Sequence, residues 1–339
     1  MQPISSIDIE PTRTEGPTEP VEIATFNWHA SSTEDRPRIV VPGKPATLRS
    51  DITTAGAVPP LDFGTGLYVA DENQLNQPDY PTESIFQAVN VMKPKFDWQS
   101  VDIVTDRNNL RKLVGFLIPK RGDSQGAFKI DVDVVDNTVV FTRTGSTKAQ
   151  CFGCGHHFEE AMTTDKEDGA LRRIVSFKLG TLSLVVRSEV DAVKNGDWKS
   201  IGSPVWTKPE NSTLEVARAG GPIKAGQFVE LKTKSVRREF DFVEAYTQMA
   251  LGDVDILVLA RMQVKTVALL REFTRAEVAR AKIDNSRVFG RLEKLLKEIL
   301  RRVRPRERLG RIKTITGSSR PDQTRRIDNL SLCPVVTLV

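Results

Sequence analysis

The run Arg172 to Val193, RRIVSFKLGTLSLVVRSEVDAV, decides how the rest of the chain is read. Two stretches rich in Val, Leu, Ile and Phe flank Leu179-Gly180, and a glycine supplies the backbone freedom that a tight turn between strands demands. The spacing predicts a hairpin. Its second strand ends on Glu189-Val190-Asp191, and residues two apart in a strand project from one face, so the two carboxylates are expected side by side.

On either side the same signals recur. FKIDVDVVDNTVVFTRT (128–144) reads as a second hairpin turning at Asp136-Asn137, and GQFVELKTKS (226–235) as a strand that sets Glu230 and Lys232 on one face. VDILVLARM (254–262) is a buried strand. Helices are expected at TESIFQAVNVM (82–92), after the strand or turn that opens VDIVTDRNNLRKLVGFLI (101–118), in HHFEEAMTTDKEDG (156–169) and in FDFVEAYTQMAL (240–251). The longest helical pattern covers 274–303, with Leu292, Leu295, Leu296, Ile299, Leu300 and Val303 on one stripe and Pro305 as its stop. The fold class is α+β (mixed α/β), with a single, largely antiparallel or mixed central sheet flanked by helices, as in the PD-(D/E)xK nucleases.

The 339 residues are ample for a real core, and 39% hydrophobic and 27% charged content is that of a soluble globular protein. Three regions are expected: a disordered leader (1–20) rich in Pro, Thr and Glu, one nuclease-like domain (21–303), and a basic tail (304–339). No apolar run approaches the roughly 18 residues of a membrane span. With three cysteines and no secretory signal pattern, the chain is expected to be intracellular, nuclear or cytoplasmic, with 301-RRVRPRERLGRIK-313 compatible with nuclear import. Charge is uneven: residues 1–100 carry 7 Lys and Arg against 14 Asp and Glu, whereas residues 271–339 carry 18 against 8. The basic end can attract a polyanion, although basic faces are commonly just solvated.

Several chemistries fail on spacing. Gly221 to Gly226 has the glycine spacing of a phosphate loop, but Gln227 and Phe228 stand where Lys and Ser/Thr are required. GxSxG, HExxH and adjacent aspartates are absent, which removes a hydrolase elbow, a zincin and a pyrophosphate clamp. Cys151-x-x-Cys154 with His156 and His157 has no second ligand pair at the spacing structural zinc uses.

What survives is an acidic set: Glu159 at the start of a helix, Glu189 and Asp191 at the end of a strand, Glu230 and Lys232 in the next, and Gln248 on the following helix. Any one pair is weak, since an ExK in a strand is commonly a solvated ion pair. Carboxylates converging in a partly buried site repel one another unless cations sit between them, so the set calls for hard divalent ions, Mg²⁺ or Mn²⁺, on oxygen ligands. Such ions polarise phosphoryl oxygens and acidify a bound water, while a lysine orients that water or meets the developing charge.

In order and surroundings, GHHFEEAMTTD (155–165), RIVSFKLGTLSLVVRSEVDAV (173–193), FVELKTKS (228–235) and YTQMAL (246–251) resemble the motifs of the DXO-like, RAI-type decapping nucleases. TDRNNLRKLV (105–114) resembles that family's upstream arginine motif, and the likeness, which suggests a divergent fungal-type member, spans roughly residues 95–262. The resemblance implies hydrolysis at RNA 5′ ends: decapping, pyrophosphate release and 5′-to-3′ exonuclease action, with an exonuclease as a further partner. It implies Glu159, Asp191 and Glu230 as metal ligands, with the Leu231 carbonyl. Glu189 would serve a second ion or the water, Lys232 and Gln248 the nucleophile and scissile phosphate, and Arg107 the RNA 5′ phosphates. His156 stands where the family has an aromatic residue, and Glu160, beside Glu159, stays open as the alternative ligand. Two other readings stay open: a non-catalytic RNA- or nuclease-binding protein on the same fold, and a PD-(D/E)xK DNA endonuclease.

The basic end generates one expectation. Removing residues 304–339 should flatten the dependence of RNA binding on salt, because fewer counterions are released. An unchanged slope in a salt titration would make the tail a structural or partner-binding element.

Overall fold

The computed structural model describes residues 4–5, 13–64, 66–118, 128–150, 153–165, 169–198, 204–218, 226–280, 284–304, 313–319 and 325–332. The elements that carry the argument are β1 (Thr18–Trp28), β2 (Ile103–Asp106), α1 (Arg107–Leu117), β3 (Phe128–Val135), β4 (Thr138–Thr144), α2 (Gly155–Met162), β5 (Leu171–Leu179), β6 (Leu182–Val190), β7 (Ala192–Lys194), β8 (Gln227–Ser235), α3 (Phe242–Gly252), β9 (Ile256–Gln263), β10 (Thr266–Thr274) and α4 (Asn285–Val303).

Both expected hairpins form. β5 pairs antiparallel with β6 around Gly180, whose φ is +57°, and β3 with β4 around Asp136. They belong to a twelve-stranded sheet that runs β3, β4, β2, β6, β5, β1 through its middle, with β2 parallel to both β4 and β6. Apolar residues cover both faces of β5 and β6. Val175, Phe177, Leu184 and Val186 lie under α1 and α4, whereas Ile174 and Val185 face the helix Glu83–Met92. A strand covered on both sides reads as an unbroken apolar run, which is why the opening segment is so uniformly hydrophobic. The stripe on α4 is buried along its length, from Val288 to Val303.

Two sheets stand where one was expected. GQFVELKTKS joins a separate six-stranded sheet, in which β7, β8, β9 and β10 lie side by side. The chain changes sheets within three residues: Val190 ends β6 in the large sheet and Ala192 begins β7 in the small one, leaving Asp191 at the crossing. β8 runs parallel to β9, and α3 makes the crossover between them. This joint positions the site.

Three further expectations are corrected. The 274–303 helix is two helices, because Thr274 and Glu277 cap a short one at Arg275–Ala279 and α4 begins afresh at Asn285. Part of the expected disordered leader is ordered: the Thr14 hydroxyl donates to Glu293 on α4 at 2.5 Å, Gly16 packs against the Phe289 ring, and β1 starts at Thr18. The basic tail supplies two strands, Lys313–Ser319 and Arg325–Leu332, the first of which pairs with the otherwise open edge of β3. Most of 301–313, Cys151, Gly221 to Ala225 and Val335 to Val339 lie outside the described residues.

Leu296 is fully buried between α4 and the sheet, so Leu296→Ala should cost ~2–5 kcal/mol in urea unfolding. Leu269, 47% exposed on β10, should lose under ~0.5 kcal/mol on the same change. Equal losses would show that the α4 stripe is not the core of the domain.

Candidate active site at the joint of two sheets

Glu230 sits in the middle of β8, 2% exposed, and both its oxygens are taken. Arg107, the first residue of α1, donates from Nη1 to one oxygen at 2.9 Å, and Lys232 Nζ meets the other at 2.5 Å. Burial pushes the Glu230 carboxyl up, but the charges of Arg107 and Lys232 and their hydrogen bonds outweigh it and bring it to about 2. Burial likewise opposes the Lys232 charge, and Glu230 and Asp191 still hold the ammonium above its ordinary value. The i, i+2 spacing predicts this ion pair.

Asp191 comes in from the crossing. Its Oδ2 accepts the Leu231 N–H at 2.7 Å, which locks the crossing segment onto β8. Burial raises its carboxyl well above the usual range, the charges of Glu230 and Glu159 add to that, and Lys232 only partly offsets them. Glu159 on α2 is therefore within electrostatic reach of Asp191, and it lies 3.6 Å from His156 Nδ1. Gln248 on α3 is 2% exposed, donates from Nε2 to Glu244 at 3.2 Å, and keeps a buried Oε1 without a hydrogen-bond partner among the described residues. Its backbone carbonyl accepts from Arg107 at 3.4 Å. A Cβ on Gly252 would come within 3.0 Å of Arg107 Nη1, so a glycine at the end of α3 leaves the guanidinium its path.

The structure thus brings Arg107, Glu159, Asp191, Glu230, Leu231, Lys232 and Gln248 to one joint from α1, α2, the crossing, β8 and α3. It separates Glu189 from them. That side chain turns to Arg172, Nη1 to Oε2 at 2.5 Å, and the Arg172 charge holds its carboxyl below the ordinary range. Arg172 also binds Glu72 at 2.8 Å, so Glu189 and Asp191, two residues apart in sequence, face different surroundings. The i, i+2 expectation fails because Asp191 lies beyond the end of β6. Arg107 is 8% exposed, and its guanidinium already binds Glu230 and the Glu189 carbonyl. Among the described residues, no three His, Cys, Asp or Glu side chains are gathered closely enough to hold a metal ion as they stand. His156 stacks on Tyr68 at 4.8 Å, while His157 Nδ1 meets the Asp62 carbonyl at 2.6 Å.

Arg172 and Arg187 were not singled out from the sequence. Arg187, 2% exposed, makes a two-pronged pair with Asp106 at 2.6 and 2.9 Å. The signal was there: a charged residue inside a doubly covered apolar strand must find a buried partner.

Chains of this architecture, two mixed sheets hinged at a carboxylate-bearing crossing, have been solved. S. pombe Rai1 shares it at TM-score 0.60 and 15% identity, over 96% of this chain and 98% of that one. Candida albicans Rai1 in complex with pU5 and Mn²⁺ matches at TM-score 0.61 and 12% identity, over 98% and 94%. K. lactis Dxo1 in complex with manganese matches at 0.60 and 9%, over 100% and 97%. The fold is therefore that of the Rai1 and Dxo1 structures, as the sequence motifs imply. By sequence the chain belongs to the family described as Domain of unknown function (DUF8563), whose model matches residues 17–239. No curated protein matches the sequence. Among the described residues no helix is long and apolar enough to cross a membrane.

Arg107→Met leaves Glu230 buried with Lys232 as its one remaining charge partner, and should cost ~3–5 kcal/mol in urea unfolding. The double change Arg107→Met with Glu230→Gln should recover more than half of that loss. No recovery would mean that Arg107 stabilises the fold by packing rather than by charge.

Proposed function

We propose that the chain is a divalent-metal-dependent hydrolase acting on RNA 5′ ends. The observation that carries this reading is the convergence of Arg107, Glu159, Asp191, Glu230, Lys232 and Gln248 at the joint, in a fold whose K. lactis representative is described in complex with manganese and whose C. albicans representative is described in complex with pU5 and Mn²⁺. The donor set suits a hard cation: Asp191 is a buried carboxyl beside two more carboxylates and lacks compensating positive charge. Glu159, Asp191 and Glu230, with the Leu231 carbonyl, would hold the ion, which when bound supplies polarisation of the phosphoryl oxygens and an acidified water. Lys232 meets negative charge that develops on the phosphate, and the Gln248 amide, with its unpartnered Oε1, orients the nucleophile. Arg107 presents a planar fork at the entrance to the carboxylates, the group suited to a terminal phosphate. Glu189, drawn off by Arg172, serves a second ion or the water once that pair opens.

A second reading has its own support. Glu230 is fully neutralised by Arg107 and Lys232, an arrangement a non-catalytic RNA-binding protein could keep without metal.

The experiment supplies the purified chain with Mn²⁺ or Mg²⁺ and RNAs carrying triphosphate, GpppN, NAD or monophosphate 5′ ends, beside a circular RNA. Cation-dependent cleavage of at least one linear RNA and none of the circle is expected. Asp191→Asn and Glu230→Gln should lower the rate at least ~1,000-fold, and Arg107→Lys ~30- to 1,000-fold, because an ammonium cannot form the fork. Calorimetry should find a saturable cation site that Asp191→Asn removes. Neither cation binding nor hydrolysis would overturn the reading in favour of the binding protein, and equal cleavage of circular RNA would make it a general nuclease.

A further inference from the structure

Beside the carboxylates, on the far side of Glu189, lies a cavity of about 320 Å³. It opens at the carboxyl ends of β2 and β6, which run parallel, and at the first turn of α1, the place where mixed α/β sheets present ligands to a helix N-terminus. Its wall holds five arginines, Arg107, Arg111, Arg143, Arg172 and Arg187. Against them stand three carboxylates of the lining, Asp71, Asp106 and Glu189. The excess is positive, because Arg107 and Arg111 reach out of the cavity for their partners, Glu230 and Glu244. A cation is therefore excluded as the occupant.

Donors are left over inside it. Arg172 is 8% and Ser188 4% exposed, and Arg172 Nε and Ser188 Oγ are buried with no hydrogen-bond partner among the described residues. Arg111 Nε is in the same condition. Burying an N–H without an acceptor is unfavourable, and an oxyanion removes that penalty at all three atoms at once. The N-cap of α1 adds to this. Asp106 gives its carboxylate to Arg187 and accepts nothing from the first-turn N–H groups of α1, which begin at the cavity lining residues Arg107 and Asn108.

We propose that this cavity binds a dianionic phosphate group, with Arg172, Arg111 and Ser188 as donors and the N-terminus of α1 completing the site. The inference rests on the hydrolase reading only for the source of the phosphate, which would be a nucleotide end held next to Arg107 rather than free phosphate. Tyr68, 36% exposed at the mouth and stacked on His156, is placed to take the base of such a ligand.

The test is calorimetric titration of the full chain with inorganic phosphate in the presence of EDTA, so that the outcome does not depend on a metal. A Kd of ~1 mM or tighter is expected. Arg111→Gln should weaken binding ~10-fold or more and Ser188→Ala ~3-fold, while Arg36→Gln, on another face, changes nothing. Arg111 is a third exposed and the Ser188 hydroxyl has no partner in the fold, so both variants should keep the parent melting temperature. Competition with a 5′-phosphorylated pentaribonucleotide and its 5′-hydroxyl twin identifies the source. Displacement by the phosphorylated one alone assigns the site to nucleotide ends, and displacement by neither assigns it to free phosphate. No saturable binding up to ~20 mM, or the same Kd in all variants, overturns the proposal. Failure of hydrolysis with phosphate binding intact would instead remove the hydrolase reading and leave the site standing.

Discussion

A carboxylate held inside a protein by two cations is the constraint around which this molecule is arranged. Glu230 is almost wholly buried, and an isolated carboxylate there would be too costly to remain charged. Arg107 must arrive from the helix on the large sheet and Lys232 from two residues along the same strand. The pairing therefore ties the two sheets together, since Arg107 begins α1 over the twelve-stranded sheet and Glu230 belongs to the six-stranded one. Gly252 leaves room for the guanidinium, and the Gln248 carbonyl accepts a further hydrogen bond from it.

The crossing at Asp191 follows from the same geometry. A strand that leaves one sheet and enters another within three residues cannot keep its side chains on one face. Glu189 is delivered to an arginine-lined cavity, and Asp191 to the Leu231 N–H beside Glu230. One short motif thus serves two surroundings, a cation-poor group of carboxylates and an anion-poor group of guanidiniums. A ligand carrying phosphate next to a hard cation is complementary to both.

Ion pairs of this kind contribute modestly to stability when compared with an apolar core, and the doubly covered sheet supplies that core here. Their value lies in placement. Arg187 with Asp106 fixes the end of β2 where α1 starts, and Arg172 between Glu72 and Glu189 fixes the cavity wall. Each is buried in a strand that is otherwise apolar, where a misplaced charge would have no water to return to.

Much of the fold was legible in the chain itself. Alternation and turn residues marked β3 to β6, the α4 stripe from Leu292 to Val303 was readable at helical spacing, and Glu230 with Lys232 followed from their separation by one residue. These are local matters, decided by periodicity and by what a strand or helix must bury. The separation of one expected sheet into two, the ordering of residues 13–20 against α4 and the strand formed by Lys313–Ser319 on the edge of β3 were not legible, since each depends on a partner far away in sequence. The arginines were visible as charges in apolar strands, but which carboxylate each would take was not. Sequence alone determined which residue types were available for phosphate and cation chemistry and in what local geometry. Tertiary structure decided that Arg107 grips Glu230, that Glu189 parts from Asp191, and that a positive cavity lies beside them, because a buried charge is satisfied only by the neighbour that the fold brings to it.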